Sequence, residues 1–230
     1  MTLKTSQYND FNDSIFDAVS QGRDLMVDDV ITQSAPLRVP RFDSLRIWGH
    51  GNDSRVVPTF SQGDIWHLGD SVGEQQNLLL DNFAIVPSSE RESGWAIRMD
   101  RCVRTTINNV DIGNPETYRH FGGLWFNGYD DCRVDDSNIY AKHKCALING
   151  KSDQSYGADI VLGGGNKFQN HKQPDLSDHV PGSVGIHLAG GQGGTYIDST
   201  QLIYCGIGLL LDKAVAGVMN REVFLNTGTV

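Results

Sequence analysis

The sequence predicts an all-β chain of stacked coils: a right-handed single-stranded parallel β-helix with a short N-terminal capping helix. Three observations carry this expectation. One strand pattern recurs at a step of 27 residues in the second half of the chain. A second strand recurs inside each unit. No helical pattern lies between the strand-like runs, as parallel strands joined in an α/β sheet would require.

The repeat is seen by laying four segments under one another. They are LLDNFAI from Leu79, TINNVDI from Thr106, RVDDSNI from Arg133 and YIDSTQLI from Tyr196. Their apolar anchors are Leu80, Ile107, Val134 and Ile197, and the first two steps are both 27 residues. The last gap divides if Ile160 is an intervening anchor, giving steps of 26 and 37. The long step contains a polar insertion at about 167–182, read as a loop. The second strand appears as GWAIRMD from Gly94, GLWFNG from Gly123, CALING from Cys145, VGIHLAG from Val184 and GIGLLLD from Gly206. A unit of strand, turn, strand, turn cannot enclose a core alone. Stacking buries one continuous core and pairs every strand with the next coil.

The first nine residues are polar and read as loose. Phe11, Ile15, Phe16 and Val19 then fall on one face of a short helix. Asp10 or Asn12 would cap it and Gly22 would end it. Its expected role is a lid on the apolar core. Short strands follow at Leu25–Val27, Leu37–Val39, Leu45–Trp48, Val56–Val57 and Ile65–Leu68, with a turn at Gly49–Asn52. The organisation is therefore an N-terminal segment and helix over 1–24 and the coil stack over 25–230. Asn82, Asn109 and Asp136 occupy equivalent positions in adjacent units. Stacked amides there would hydrogen-bond along the column and satisfy turn backbone.

Composition excludes several function classes. The net charge is −9, which disfavours a broad nucleic-acid-binding face. Hydrophobic residues at 39% against 20% charged allow a core and argue against wholesale disorder. Cys102, Cys132, Cys145 and Cys205 form no CxxC pair and read as buried free thiols, so no metal site or cofactor is expected. No segment is apolar enough to cross a membrane, and MTLKTSQYNDFND has no signal-peptide core.

The opening FNDSIFDAVSQG, a following strand, and LRVPRFDSLRIWGHGNDSRVV with its Ile47-Trp48-Gly49-His50-Gly51 turn resemble the start of pectin-lyase-like β-helices. Within these the resemblance is to bacteriophage tailspikes and capsular depolymerases, and GIHLAGG and GIGLLLD are similar too. It covers roughly residues 10–230 and specifies the fold better than the reaction. It implies binding, and often cleavage, of bacterial surface polysaccharide by a homotrimer on a virion, acting extracellularly. The alternative is a non-enzymatic virion spike, fibre or adaptor. The final REVFLNTGTV reads as the first strand of a further coil, which would dock on another virion protein or continue a longer spike. A secreted pectinolytic enzyme is the third reading, and the N-terminus speaks against it.

Glycoside hydrolysis needs two carboxylates about 5–10 Å apart, and equivalent positions of adjacent coils lie about 4.8 Å apart. One outward column reads Asp81, Asn108, Asp135 and Asp198; a second reads Ala84, Asp111, Asn138 and Gln201. Asp111 and Asp135 are therefore the candidate catalytic pair, although an acidic chain carries many merely solvated aspartates. A lyase would instead use Arg, Lys or His. Arg98, Arg101 and Arg104, and Arg119-His120 after a turn, read as ordinary surface or turn residues. His171, Lys172, Asp175, Asp178 and His179 belong to the inserted loop. Trp95, Trp125 and Tyr140 are the candidate carbohydrate-binding residues, with Tyr118 and Tyr156 also available, because aromatic faces stack on sugar rings.

Overall fold

A computed structural model describes residues 2–70, 72–114, 119–150, 159–170, 181–189 and 194–212, and the backbone alone of 218–221 and 224–226. The chain is all-β apart from one α-helix, Phe11–Gln21, and a single 3₁₀ turn, Thr5–Gln7, among the described residues. Every strand pairing among them is parallel, and each joins a strand to one a coil later.

The register fixes the core. Leu3, Leu25, Ile47, Leu80, Ile107, Val134, Leu162 and Ile197 form one inward row through successive coils, and all are buried. The anchor between Val134 and Ile197 is therefore Leu162, not Ile160, which pairs with Cys132. The steps become 28 and 35 residues. Both residues are apolar and both are buried, so hydrophobicity alone does not distinguish them. A second pair of inward rows faces the first: Trp66, Ile97, Leu124, Ala146 and Ile186, and beside it Leu68, Met99, Phe126, Ile148 and Leu188. Burying these rows against one another gives a single apolar core.

The inserted loop begins later than expected. Lys167–Gln169 is a strand, pairing with Asn138–Tyr140 on one side and Gln201–Ile203 on the other. Residues 171–180 lie outside the described residues. The N-terminus is also more ordered than its polarity suggests. Leu3–Lys4 pairs with Leu25–Met26, and Asp28 Oδ1 accepts from the Ser6 amide (2.9 Å) and Oδ2 from the Ser6 hydroxyl (2.7 Å).

The helix starts where Asp10 accepts from the Asn12 amide at 2.8 Å and ends at Gly22, whose φ of 60° is left-handed. Phe11, Ser14, Ile15 and Ala18 are its buried residues. Phe11 stacks on Trp66 at 5.0 Å, which seats the helix against the first coils. Phe16, expected on that face, is 49% exposed.

The turn column forms as stacking requires. Asn82, Asn109 and Asp136 all have left-handed φ, at 60°, 49° and 47°. Asn109 Nδ2 donates to Asn82 Oδ1 at 2.6 Å, and Asn82 Nδ2 donates to the Gly49 carbonyl at 3.1 Å. Asn tolerates this backbone better than most residues, and its amide bonds along the stack.

Replacing Ile107 by Ala should cost about 2–5 kcal/mol in urea unfolding, since it empties a fully enclosed position. Asn109→Gly keeps the backbone and loses only the amide, so it should cost about 1 kcal/mol.

Candidate functional site: an aromatic shelf at a bulged corner

The outward residues of the second face form rows of their own. Arg38, His67, Arg98, Trp125, Leu147 and His187 follow one another from coil to coil. Trp125 and Trp95 are both half-buried, with ring centroids 5.5 Å apart. Gly122 sits opposite Trp95 on the next coil, and a Cβ there would lie 2.7 Å from the indole. A larger residue would lift the Trp95 ring off the sheet. The Arg98 guanidinium lies over Trp125 at 4.2 Å.

A polar network borders the shelf. His67 Nε2 donates to Asp100 Oδ2 at 2.8 Å, and Asn127 Nδ2 donates to Asp100 Oδ1 at 2.6 Å. Arg98 reaches Asp100 at 3.4 Å and Asp64 at 3.7 Å. Burial, the largest influence on Asp100, opposes its ionisation. The bonds from Asn127 and His67 and the charge of Arg98 overcome it and hold the carboxyl below its ordinary range.

The corner between the two faces carries a β-bulge. His120 pairs with Ala141, but Gly122 pairs with Lys144, so Phe121 stands opposite both Lys142 and His143. The in–out alternation of this strand fails there: Lys142, His143 and Lys144 are all half-buried. Phe121 and His143 pack at 4.3 Å. With Gly94, Trp95, Gly122 and Lys144 they line a cleft of about 290 Å³. Burial, then the charges of Lys142 and Lys144, push the His143 pKa down, so the imidazole is neutral at pH 7.

Asp111 and Asp135 stand on neighbouring coils in the two expected columns. Asp111 lines a separate polar cleft of about 280 Å³ with Arg55, Asn52, Asn114 and Tyr140. Its Oδ1 accepts from Asn138 Nδ2 at 2.6 Å. Asp135 does not line this cleft; it lies on the next coil in the other column and forms an ion pair with Arg133. Tyr140, the third candidate carbohydrate-binding residue, lines this cleft with Asp111. Tyr118, Tyr156, His171, Lys172, Asp175, Asp178 and His179 lie outside the described residues.

Two readings of basic residues are corrected. Arg119 and His120 are buried, not surface residues. Arg119 donates to the Asn170 carbonyl at 2.9 Å and pairs with Glu90 at 3.2 Å. His120 Nε2 donates to the Ile85 carbonyl at 2.9 Å, which keeps it out of both clefts. Arg101 and Arg104 are turn residues with left-handed φ of 55° and 52°. All four cysteines are buried free thiols.

Sequence reasoning named Trp95 and Trp125 as candidates and passed over Phe121, His143 and Lys144, which line one cleft with Trp95. The run Lys142-His143-Lys144 was the available signal, since three consecutive polar residues interrupt an alternating strand.

No family model matches the sequence, and no curated protein is significantly similar to it. Among solved structures, the chain is similar to an alginate lyase from Paenibacillus sp. str. FPU-7. The identity is 14% and the TM-score 0.55, with 95% of this chain and 75% of that chain covered. The two share a fold.

Burial holds the His120 pKa at about 4, below its unfolded value of about 6.5. Between those values the unfolded chain binds the extra proton, so stability falls as pH falls through this window. His143 and His187 are shifted in the same direction. Urea titrations at pH 7 and pH 5 should show His120→Gln losing less stability on acidification than the parent, by about 2 kcal/mol.

Proposed function

We propose that this protein is a right-handed parallel β-helix of the tailspike kind that binds bacterial surface polysaccharide along the outer side of its second face. The observation that carries the reading is the Trp95–Trp125 pair. Two half-buried indoles, one coil apart and 5.5 Å between centroids, offer apolar faces to consecutive sugar rings. Arg98, His67 and Asn127 beside them, held in place by the buried Asp100, supply polar groups for ring hydroxyls. A rigid ladder holds these groups in place before the ligand arrives, which lowers the ordering cost of binding.

The fold shared with a polysaccharide lyase supports the reading as a likeness of architecture. The opening helix, strand and glycine turn support the tailspike assignment, and with it extracellular action from a virion as a homotrimer. Binding is the proposed activity, and turnover is a separate outcome. If cleavage occurs, Asp111 is the carboxylate in an open cleft, whereas Asp135 is engaged by Arg133.

The purified chain should retain polymer from host capsule or lipopolysaccharide on a glycan array. Trp125→Ala should weaken that binding about tenfold, with little change in unfolding midpoint. Undiminished binding by both Trp95→Ala and Trp125→Ala would sink the shelf as the site. Reducing-end release during the same incubation, abolished by Asp111→Asn, would add a depolymerase activity. A monomeric mass in solution would remove the trimer from the proposal.

A further inference from the structure

Three cations border the aromatic shelf, and they are not equivalent. Arg98 is neutralised by Asp64 at 3.7 Å and Asp100 at 3.4 Å. Lys142 pairs with Glu90, 3.2 Å from its Nζ, a carboxylate it shares with Arg119. Glu90 is held ionised for this: burial opposes its charge, but the Arg119 amide and the charges of Lys142 and Arg119 prevail. Lys144 has no carboxylate partner among the described residues. It lies in the cleft, on the outward strand position opposite Gly122, with Trp95, Phe121 and His143 around it.

An uncompensated lysine in a chain of net charge −9 is notable for its surroundings. It is half-buried against two aromatic side chains, where a lone ammonium is less well solvated than on an open surface. The adjacent His143 adds no second charge near neutral pH. The corner therefore offers an apolar wall, a neutral imidazole able to bond a hydroxyl, and one positive charge.

Resting on the polysaccharide reading above, we infer that this bulged corner is a subsite for an anionic sugar, a pyranose whose ring packs on Trp95 and Phe121 and whose acidic group pairs with Lys144. The bulge is what creates it. Without the extra residue, Lys142 and His143 could not both stand opposite Phe121, and Lys144 would not fall beside Trp95. The neutral shelf at Trp125 would then take the neighbouring residues of the same chain.

The test uses the full chain and matched probes: tetrasaccharides of galacturonate, glucuronate and mannuronate, and the same oligosaccharides with carboxyls reduced to alcohols. Calorimetry at low salt should give at least one acidic probe an affinity about fivefold above its reduced form, and high salt should erase the difference. Lys144→Gln should bring the acidic probe down to the affinity of the reduced one and leave the reduced one unchanged. Lys144→Arg should restore the preference. A sulfated tetrasaccharide run alongside separates carboxylate recognition from general anion recognition. Equal binding of every acidic and reduced pair would overturn the subsite, as would Lys144→Gln weakening both members alike, while polysaccharide binding would stand. Absence of binding by all probes and by host polysaccharide would overturn both the subsite and the function on which it rests.

Discussion

Parallel ladder bonding between successive coils is the constraint on which everything else in this molecule depends. In a stacked coil, the register of one strand against the next decides which side chains point inward. A slip of one residue would turn Ile107 outward and Asn108 inward, and the same would follow through every coil above it. The apolar row from Leu25 to Ile197 and the hydrogen-bonded ladder therefore enforce one another. Neither is stable in a single coil, since an isolated unit has one strand edge open on each side and no partner for its inward residues.

The same coupling positions the outer surface. Because inward residues are locked in rows, outward residues are also locked in rows, separated by the strand spacing of about 4.8 Å. That is why His67, Arg98 and Trp125 stand in line although 27 to 31 residues separate each from the next. Asp100 and Asn127 stand in the adjacent line for the same reason. The turns contribute by repeating one left-handed backbone position, which Asn82, Asn109 and Asp136 occupy and the Asn109–Asn82 bond ties together. A surface built this way needs no mobile loop to present an extended set of contacts.

The regular part of this design was legible in the sequence, because a periodic constraint leaves a periodic trace. Leu80, Ile107 and Val134 showed both the repeat and its inward side, and Trp95 and Trp125 were visible as recurring aromatics. What escaped reading was whatever depended on small offsets in that period. Ile160 and Leu162 are equally apolar, and only the ladder shows which faces Val134. Lys167–Gln169 looked like loop because its strand is short and begins with a charge, yet it has pairing partners on both sides. Arg119 and His120 looked like surface residues because charged side chains usually are. Here Glu90 and the Asn170 carbonyl pair with Arg119 inside the corner, and the Ile85 carbonyl accepts from His120 Nε2. Tyr140 shares one strand, Asn138–Asn149, with Leu147 of the tryptophan row, and only the bulge between them shows that it sits with Asp111.

The bulge at Phe121 shows where a coil stack can acquire chemistry. Regular rows repeat the same environment, so each position resembles its neighbour and specificity is hard to build. An extra residue breaks that equivalence at one coil. It costs ladder bonding at the corner, and it exposes Lys142, His143 and Lys144 together where alternation would bury the middle one. Glu90 and Arg119 then anchor the corner from within: Glu90 bridges Lys142 and Arg119, and Arg119 ties it to the backbone of Asn170. Only Lys144 is left facing the aromatic cleft without a counter-charge among the described residues. The local break in pattern and the placing of Lys144 in the cleft thus have one cause, and they coincide with the corner where Trp95, Phe121 and His143 converge.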